Sequence, residues 1–237
     1  MQKKNQRPAL LAIVRHAESE RNKIKMGKTY FADEYARKAI KGIPDHKIAL
    51  TPAGIKQAKE TGKALYKRFG SFDYVYHSGY LRTQQTLENI LLAWPKKERE
   101  KIKIRSNPFV RERDPGYTYD MTQKEAESYF PWLKEYWQTF GGFFGRPAGG
   151  ESLAQVVERV HLFLNMIFKD RAGQKVLIIT HGGTIRCFRF LLEHWNYEKA
   201  LAWPLGEHPK NCGLTLYEFN KKENRLILNE YNTTYWE

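Results

Sequence analysis

Apolar positions along this chain follow two rhythms, short unbroken runs and longer stretches that repeat every three or four residues. The clearest runs are Leu10-Leu11-Ala12-Ile13-Val14 and Val176-Leu177-Ile178-Ile179. Their length and aliphatic content predict strands buried on both faces. Weaker runs at Phe72–His77, Ile102–Arg105, Leu214–Phe219 and Leu226–Tyr231 predict further strands, the last two close enough to form an antiparallel edge.

Helical repeats lie between the runs. One opens at Thr51-Pro52-Ala53-Gly54, with Thr51 as cap, Pro52 in the first turn, Ile55, Ala58, Gly62, Leu65, Tyr66 and Phe69 on one face, and Gly70 as the stop. Another follows Ser78, read as its cap, and continues through Leu87, Ile90 and Leu91. A third, Thr122 to Phe140, starts with a Thr122/Glu125 capping box and is interrupted at Pro131. The most regular begins at Ser152, boxed by Gln155, with Leu153, Val156, Val157, Val160, Leu164 and Ile167 on one face; His161 on it reads as a surface residue. Residues 24–50 lack a clear period and read as loops over a site. Strands alternating with helices describe an α/β protein, and such sheets place their chemistry at the carboxyl ends of the strands.

Composition narrows the picture. The 237 residues suffice for one large core without a linker-like stretch, so a single domain over 1–237 is expected, with lid-like insertions at about 24–50 and 114–148. No apolar run approaches the roughly 20 residues that span a bilayer. The basic start, Met1–Arg7, precedes an apolar run too short for a signal peptide, so a cytoplasmic location without membrane contact is expected. Cys187 and Cys212 form neither a disulfide framework nor a cluster with metal spacing, and no bound metal is expected. A net charge of +14 attracts anions, but the lysines are dispersed rather than gathered into a stripe with stacking aromatics. That weakens nucleic acid as the partner and leaves small phosphorylated metabolites, an anionic membrane or a generally basic surface as readings of the charge. Oligomeric state has no signature here.

Polar residues at the ends of the predicted elements are the candidate chemistry. The first run closes in Arg15-His16-Ala17-Glu18-Ser19, and the other strong run in Thr180-His181-Gly182-Gly183, where glycines let backbone N–H groups approach a ligand at a helix start. Arg82 falls one turn into the helix after Ser78, where an anion would meet both dipole and guanidinium, although a surface arginine fits the same position. Phe109-Val110-Arg111-Glu112-Arg113-Asp114-Pro115-Gly116 reads as extended, so Glu112 faces away from Arg111 and Arg113 and could enter a cleft alone.

Taken together and in this order, these motifs resemble the histidine phosphatase superfamily, which includes cofactor-dependent phosphoglycerate mutases and many acid phosphatases. Arg15-His16-Ala17-Glu18-Ser19 with Asn22 is similar to its signature loop, with Ala17 where many members carry glycine. Leu50-Thr51-Pro52-Ala53-Gly54 resembles its helix start, Ser78 with Arg82 its second phosphate-binding element, and Arg111-Glu112-Arg113 its acid-base segment; Gly150-Glu151-Ser152 and Thr180-His181-Gly182-Gly183 complete the set. The resemblance spans Ala9 to Phe219 and implies a three-layer α/β/α sandwich around a mostly parallel sheet, and a phosphohistidine intermediate.

The chemistry also follows from the residues. A phosphomonoester repels anionic nucleophiles, so its catalyst needs a neutral nucleophile among cations that collect the phosphoryl charge. A neutral imidazole meets that need. His16 is the expected nucleophile; Arg15, Asn22, Arg82, His181 and the Gly182 N–H would hold phosphoryl oxygens; Glu112 would protonate the leaving oxygen and then activate water. His181 could serve as a cationic ligand or as a neutral donor. No cofactor is required.

Mutases of the family carry adjacent arginines for the phosphoglycerate carboxylate. Between Glu112 and His181, besides Arg113 of the acid-base segment, stand Arg146, Arg159 and Arg171, none adjacent to another, which favours hydrolysis. Residues 43–50 and Phe144-Gly145-Arg146 resemble the broad-range acid phosphatase branch. Ser78, Arg113, Arg146, His46 and Tyr30 are candidate substrate contacts, with ordinary loop packing as the alternative for each. A mutase-type phosphotransferase and a non-catalytic phosphoryl-binding module are the competing functions.

Overall fold

The computed structural model describes residues 7–26, 28, 30–202 and 207–237; the basic start, Met1–Gln6, lies outside them. The first apolar run becomes β1 (Leu10–Arg15), followed by α1 (Glu20–Lys25), α2 (Glu34–Lys38), α3 (Pro52–Phe69), β2 (Tyr74–His77), α4 (Leu81–Leu91), α5 (Lys96–Arg99) and β3 (Lys103–Ser106). Then come α6 (Gln123–Tyr129), α7 (Leu133–Phe144), α8 (Leu153–Asp170), β4 (Lys175–Thr180), α9 (Gly182–Leu192), α10 (Tyr197–Leu201), β5 (Leu214–Asn220) and β6 (Arg225–Thr233). The strands form one sheet in the order β3-β2-β4-β1-β5-β6. The first four of that order run parallel, whereas β5 is antiparallel to β1 and β6 to β5. The two strongest apolar runs are therefore neighbours, with Arg15 opposite Thr180.

Successive side chains of a strand point to opposite faces, and β1 divides itself between two cores. Leu10, Ala12 and Val14 pack with Leu65 of α3 and Leu87 and Ile90 of α4. Leu11 and Ile13 pack with Val156, Val160 and Phe163 of α8 and with Ile185 and Phe188 of α9. Helices cover both faces, which makes the three-layer α/β/α sandwich. Where α3 crosses α4 the backbones touch: a Cβ on Gly62 would lie 2.3 Å from the Ile90 carbonyl oxygen. No helix among the described residues is long and apolar enough to cross a membrane.

The predicted caps at Thr51, Thr122 and Ser152 form, the last two as complete capping boxes. Three local expectations change. Ser78 does not cap α4, whose N-cap is Tyr80 without a side-chain bond; the Ser78 hydroxyl is used elsewhere. The segment after β3 is not extended throughout, because Asn107 caps a short 3-10 turn over Pro108–Val110. Residues 24–50, expected to be loops, include the end of α1, all of α2 and a 3-10 turn at Asp45–Lys47.

This segment meets the one at 114–148. Phe31 pairs with Thr122, Arg37 donates to the Asp120 carbonyl at 2.7 Å and to Glu125 at 2.8 Å, and Arg21 donates to the Tyr119 carbonyl at 2.6 Å. The Pro131 interruption separates α6 from α7, and Gly141, at φ 69°, breaks α7 again. A cavity of 460 Å³ lies between the two helices and Tyr30, walled by Phe130, Leu133 and Trp137; the two histidines at the strand ends do not line it.

Candidate active site

The carboxyl ends of β1, β2 and β4 lie side by side, and each delivers polar residues to one place: Arg15-His16, His77-Ser78 and His181. His16 is 4% exposed. Its main-chain N–H donates to the Thr180 carbonyl at 2.8 Å, and its ring Nδ1 lies 2.7 Å from the Ala17 carbonyl. A carbonyl only accepts, so Nδ1 carries the proton and Nε2 keeps its lone pair. Burial, then the charges of Arg82 and Arg15, push the imidazole well below its ordinary pKa, so the ring is neutral.

The ring of His181 stands 5.1 Å from that of His16, edge to face, with Tyr80 at 5.1 Å on another side. Burial, with Arg82, His16 and Arg15, also lowers its pKa well below the usual range. Its Nε2 is 2.9 Å from Ser78 Oγ, which is 3.0 Å from Thr83 Oγ1. Thr83 spends its one proton on the Tyr80 carbonyl at 2.7 Å. Ser78 therefore donates to Thr83 and accepts from His181 Nε2, and the buried Nδ1 of His181 is left without a partner. Of the two roles left open for this residue, the resting ring takes the neutral form.

Three arginines surround the pair. Arg15 Nη1 donates to the Pro209 carbonyl at 2.5 Å, while its buried Nε has no partner. Burial lowers its pKa, Glu112 opposing and Arg82 adding to the effect, but a guanidinium stays charged. Arg82 is held by Asp45, which the sequence did not suggest: Nη1 donates to the Asp45 carbonyl at 2.6 Å and to Oδ1 at 3.0 Å, Nη2 to Oδ2 at 3.1 Å. The third is Arg159 of α8, for which the sequence reading has no role. It is buried and donates to the carbonyls of Phe109, Arg111 and Glu112 and to both oxygens of Glu151. Glu151 is also tied to Arg111 at 2.8 Å. A charged residue beside the apolar face of α8 was the available signal.

Glu112 does separate from its neighbours. Its Oε2 accepts from the Gly183 N–H at 3.3 Å and its Oε1 from the Arg113 N–H at 2.8 Å, while Arg111 turns to Glu151 and Arg113 lies over the Trp137 ring. Thr180 and Thr184 hold the segment from the other side, donating to the carbonyls of Val110 at 2.6 Å and Arg111 at 2.7 Å. Gly183 makes room for this carboxylate: a Cβ there would sit 2.6 Å from Glu112 Oε1. At Gly182 the same atom would be 3.7 Å from Arg15 Nε, so the start of α9, uncapped by a side chain, opens beside that guanidinium.

The turn after His16 is braced from below. Gln57 accepts from the Glu18 N–H at 3.0 Å, Thr51 donates to Glu18 Oε1 at 2.7 Å, and Gly54 lies so close that a Cβ would be 2.1 Å from the Glu18 carbonyl oxygen. Asn22 completes the capping box of α1 with Ser19, and its Oδ1 also accepts from Asn211, whose amide reaches the His16 carbonyl at 2.9 Å. None of these bonds uses the Asn22 Nδ2.

The remaining candidates are less central. Ser78 touches His181 directly. His46 is exposed and meets the edge of Tyr80 at 6.5 Å. Arg146 is exposed and braces its own loop through the Gly150 carbonyl at 2.6 Å. Tyr30 lines the cavity between α6 and α7 rather than joining the two histidines.

The sequence profile of the histidine phosphatase superfamily (branch 1) matches residues 11–232. Phosphoglycerate mutase-like protein AT74 of Arabidopsis thaliana is 31% identical over 209 residues, 81% of this chain and 60% of that protein, so the chain spans less than two thirds of that relative. A 2,3-bisphosphoglycerate-dependent phosphoglycerate mutase of Parvibaculum lavamentivorans is 29% identical over 82% of this chain and 85% of its own. Among solved structures, a mycobacterial glucosyl-3-phosphoglycerate phosphatase superposes with a TM-score of 0.69 over 95% of this chain and 100% of its own, at 20% identity.

Proposed function

This chain belongs to the histidine phosphatase superfamily, and from that premise we propose that it hydrolyses phosphomonoesters through a phosphohistidine on His16. The observation that carries the reading is the His16 ring itself, buried, neutral, and pinned through Nδ1 to the Ala17 carbonyl. Nε2 attacks phosphorus while the bond to the ester oxygen breaks, and Glu112 delivers a proton to that oxygen. Water then attacks the phosphohistidine, Glu112 takes its proton, and inorganic phosphate leaves as Nε2 regains its lone pair. Acid-base assistance of this kind is worth roughly 3 to 5 kcal/mol. Arg15 through its free Nε, Arg82, the Asn22 amide and the Gly182 N–H collect the phosphoryl charge. For His181 to donate through Nδ1, the Ser78 hydroxyl turns round and donates to Nε2 instead.

Hydrolysis is preferred to mutase chemistry because no two arginines between Glu112 and His181 are adjacent and three of the four are engaged elsewhere, while Arg113 lies over the Trp137 ring. Arg146 holds Gly150, Arg159 braces the Glu112 segment, and Arg171 bonds Tyr76 Oη at 2.9 Å. The mutase names of relatives favour the second reading. A panel of phosphomonoesters assayed with the wild type and His16→Ala separates these cases. Hydrolysis lost in the variant, with acid-labile, alkali-stable phosphate trapped on the wild type, is the expected result. Undiminished turnover in His16→Ala overturns the mechanism, and conversion of 3-phosphoglycerate to its 2-isomer in place of hydrolysis selects the mutase.

A further inference from the structure

We propose that Asp45 is the positioning residue for Arg82, holding its end-on edge so that its other edge faces the phosphoryl group on His16. The inference rests on the phosphatase reading above. A guanidinium has five protons in a fixed plane. Both protons of Arg82 Nη1 go to Asp45, one to its carbonyl at 2.6 Å and one to Oδ1 at 3.0 Å. One proton of Nη2 goes to Oδ2 at 3.1 Å. What remains is the second Nη2 proton and Nε–H, which point the same way from the side edge and match two oxygens of a phosphoryl group.

Two contacts fix the plane. The guanidinium carbon stands over the Tyr80 ring, 4.7 Å from its centre, and the Asp45 bonds set the rotation of the guanidinium. The Arg82 side chain is only 6% exposed and that of Asp45 19%, so this is not a pair formed loosely in solvent. The two residues come from unrelated segments, one from the first turn of α4 and the other from the 3-10 turn at Asp45–Lys47. That turn is secured at both ends. The Ile43 carbonyl accepts from Tyr119 Oη at 3.2 Å, Ile48 is buried with Phe31 and Ile40, and the Leu50 N–H donates to Gln85 on α4 at 2.8 Å. Asp45 is thus a fixed post against which the arginine turns.

The same carboxylate repels a phosphate dianion in the ground state, so it trades affinity for orientation. Removing it therefore lowers kcat without raising KM, a split that a merely structural residue would not produce. In steady-state assays with an alkyl phosphate, Asp45→Asn is expected to lose at least tenfold in kcat with KM unchanged or lower, and inorganic phosphate is expected to inhibit as well as or better than in the wild type. Asp45→Glu, which keeps the charge on a longer arm, should fall between the two and serves if the Asn variant does not fold. Ile48→Val, which loosens the same turn without touching the carboxylate, should keep kcat within twofold. Because Asp45 acts through Arg82, adding Asp45→Asn to Arg82→Lys should cost no more than twofold beyond Arg82→Lys alone. Additive losses, an unchanged or raised kcat, or a raised KM with kcat intact would each overturn the assignment. An inactive wild type would instead overturn the phosphatase reading.

Discussion

Replacing Arg159 with methionine tests whether the Glu112 segment is held from beneath. The guanidinium makes five donations: to Phe109 O at 2.7 Å, Arg111 O at 2.8 Å, Glu112 O at 3.0 Å, and to the two Glu151 oxygens at 3.1 Å each. Methionine restores the volume of the stem but none of the donors. Removing one partner of a buried ion pair costs about 3 to 5 kcal/mol. Glu151 keeps Arg111 at 2.8 Å and the Asp114 N–H at 3.0 Å, which puts the expectation at the low end. A loss of about 3 kcal/mol in a domain of this size corresponds to a melting temperature lower by roughly 6 to 12 °C. Glu112 also loses its carbonyl anchor, so kcat with a poor leaving group should fall about tenfold, since misplaced acid-base groups lose part of their contribution. Urea denaturation and steady-state kinetics on the same preparation read both. Arg159→Lys keeps the charge but not the fork and should rescue stability in part. A loss below about 1 kcal/mol, the net worth of a single hydrogen bond, together with an unchanged kcat would refute the bracing argument.

Two further outcomes follow from the geometry. His16 and His181 are neutral in the folded protein because burial lowers both pKa values, whereas the unfolded chain protonates them near 6.5. The unfolded state therefore binds more protons below that value, and stability should fall as pH drops; from about pH 7.5 to about pH 5.5 each ring withdraws up to roughly 1.4 kcal/mol. Denaturation in phosphate-free buffer should show the His16→Asn/His181→Asn double variant losing correspondingly less over that interval, and parallel curves would sink the idea; His77 and His208, also lowered, remain in both proteins and cancel. Gly54→Ala should destabilise by about 1 to 3 kcal/mol, as overpacking does, because its Cβ would meet the Glu18 carbonyl oxygen at 2.1 Å; melting within a degree of wild type would show that the turn after His16 yields freely.

Much of this arrangement is legible in the chain because it is local. Runs such as Leu10–Val14 and Val176–Ile179 become the two central strands, and Thr51, Thr122 and Ser152 cap the helices whose repeats they precede. Ser78 departs from its expected role for a physical reason: a serine before a helix looks like a cap, and only the fold brings His181 within 2.9 Å of its hydroxyl. Glu112 reached the cleft by a different backbone from the extended one expected, and the separation from Arg111 and Arg113 survived because Glu151 and Trp137 take those two away. As the partner of Arg82, Asp45 carries no signal, since it lies in an aperiodic stretch and meets that arginine 37 positions later. Asn211 and Pro209 were invisible likewise, reaching Asn22 and Arg15 from almost the other end of the chain.

The position of β1 in the sheet has a consequence for how the molecule comes into being. The strand that ends in Arg15, just before His16, is made well ahead of both its neighbours, β4, beginning at Lys175, and β5, beginning at Leu214. A nascent chain has no edge on which to lay it until β4 or β5 follows. Closing such distant pairings is slow, since the entropy of the long loop is lost before the contacts form. Until then the apolar run Leu10–Val14 is an unpaired strand, the kind of segment that invites mispairing between growing chains. Biogenesis, rather than the finished fold, is where this architecture is most exposed, and a fragment ending before β5 would carry His16 with only one of the two strands that flank β1.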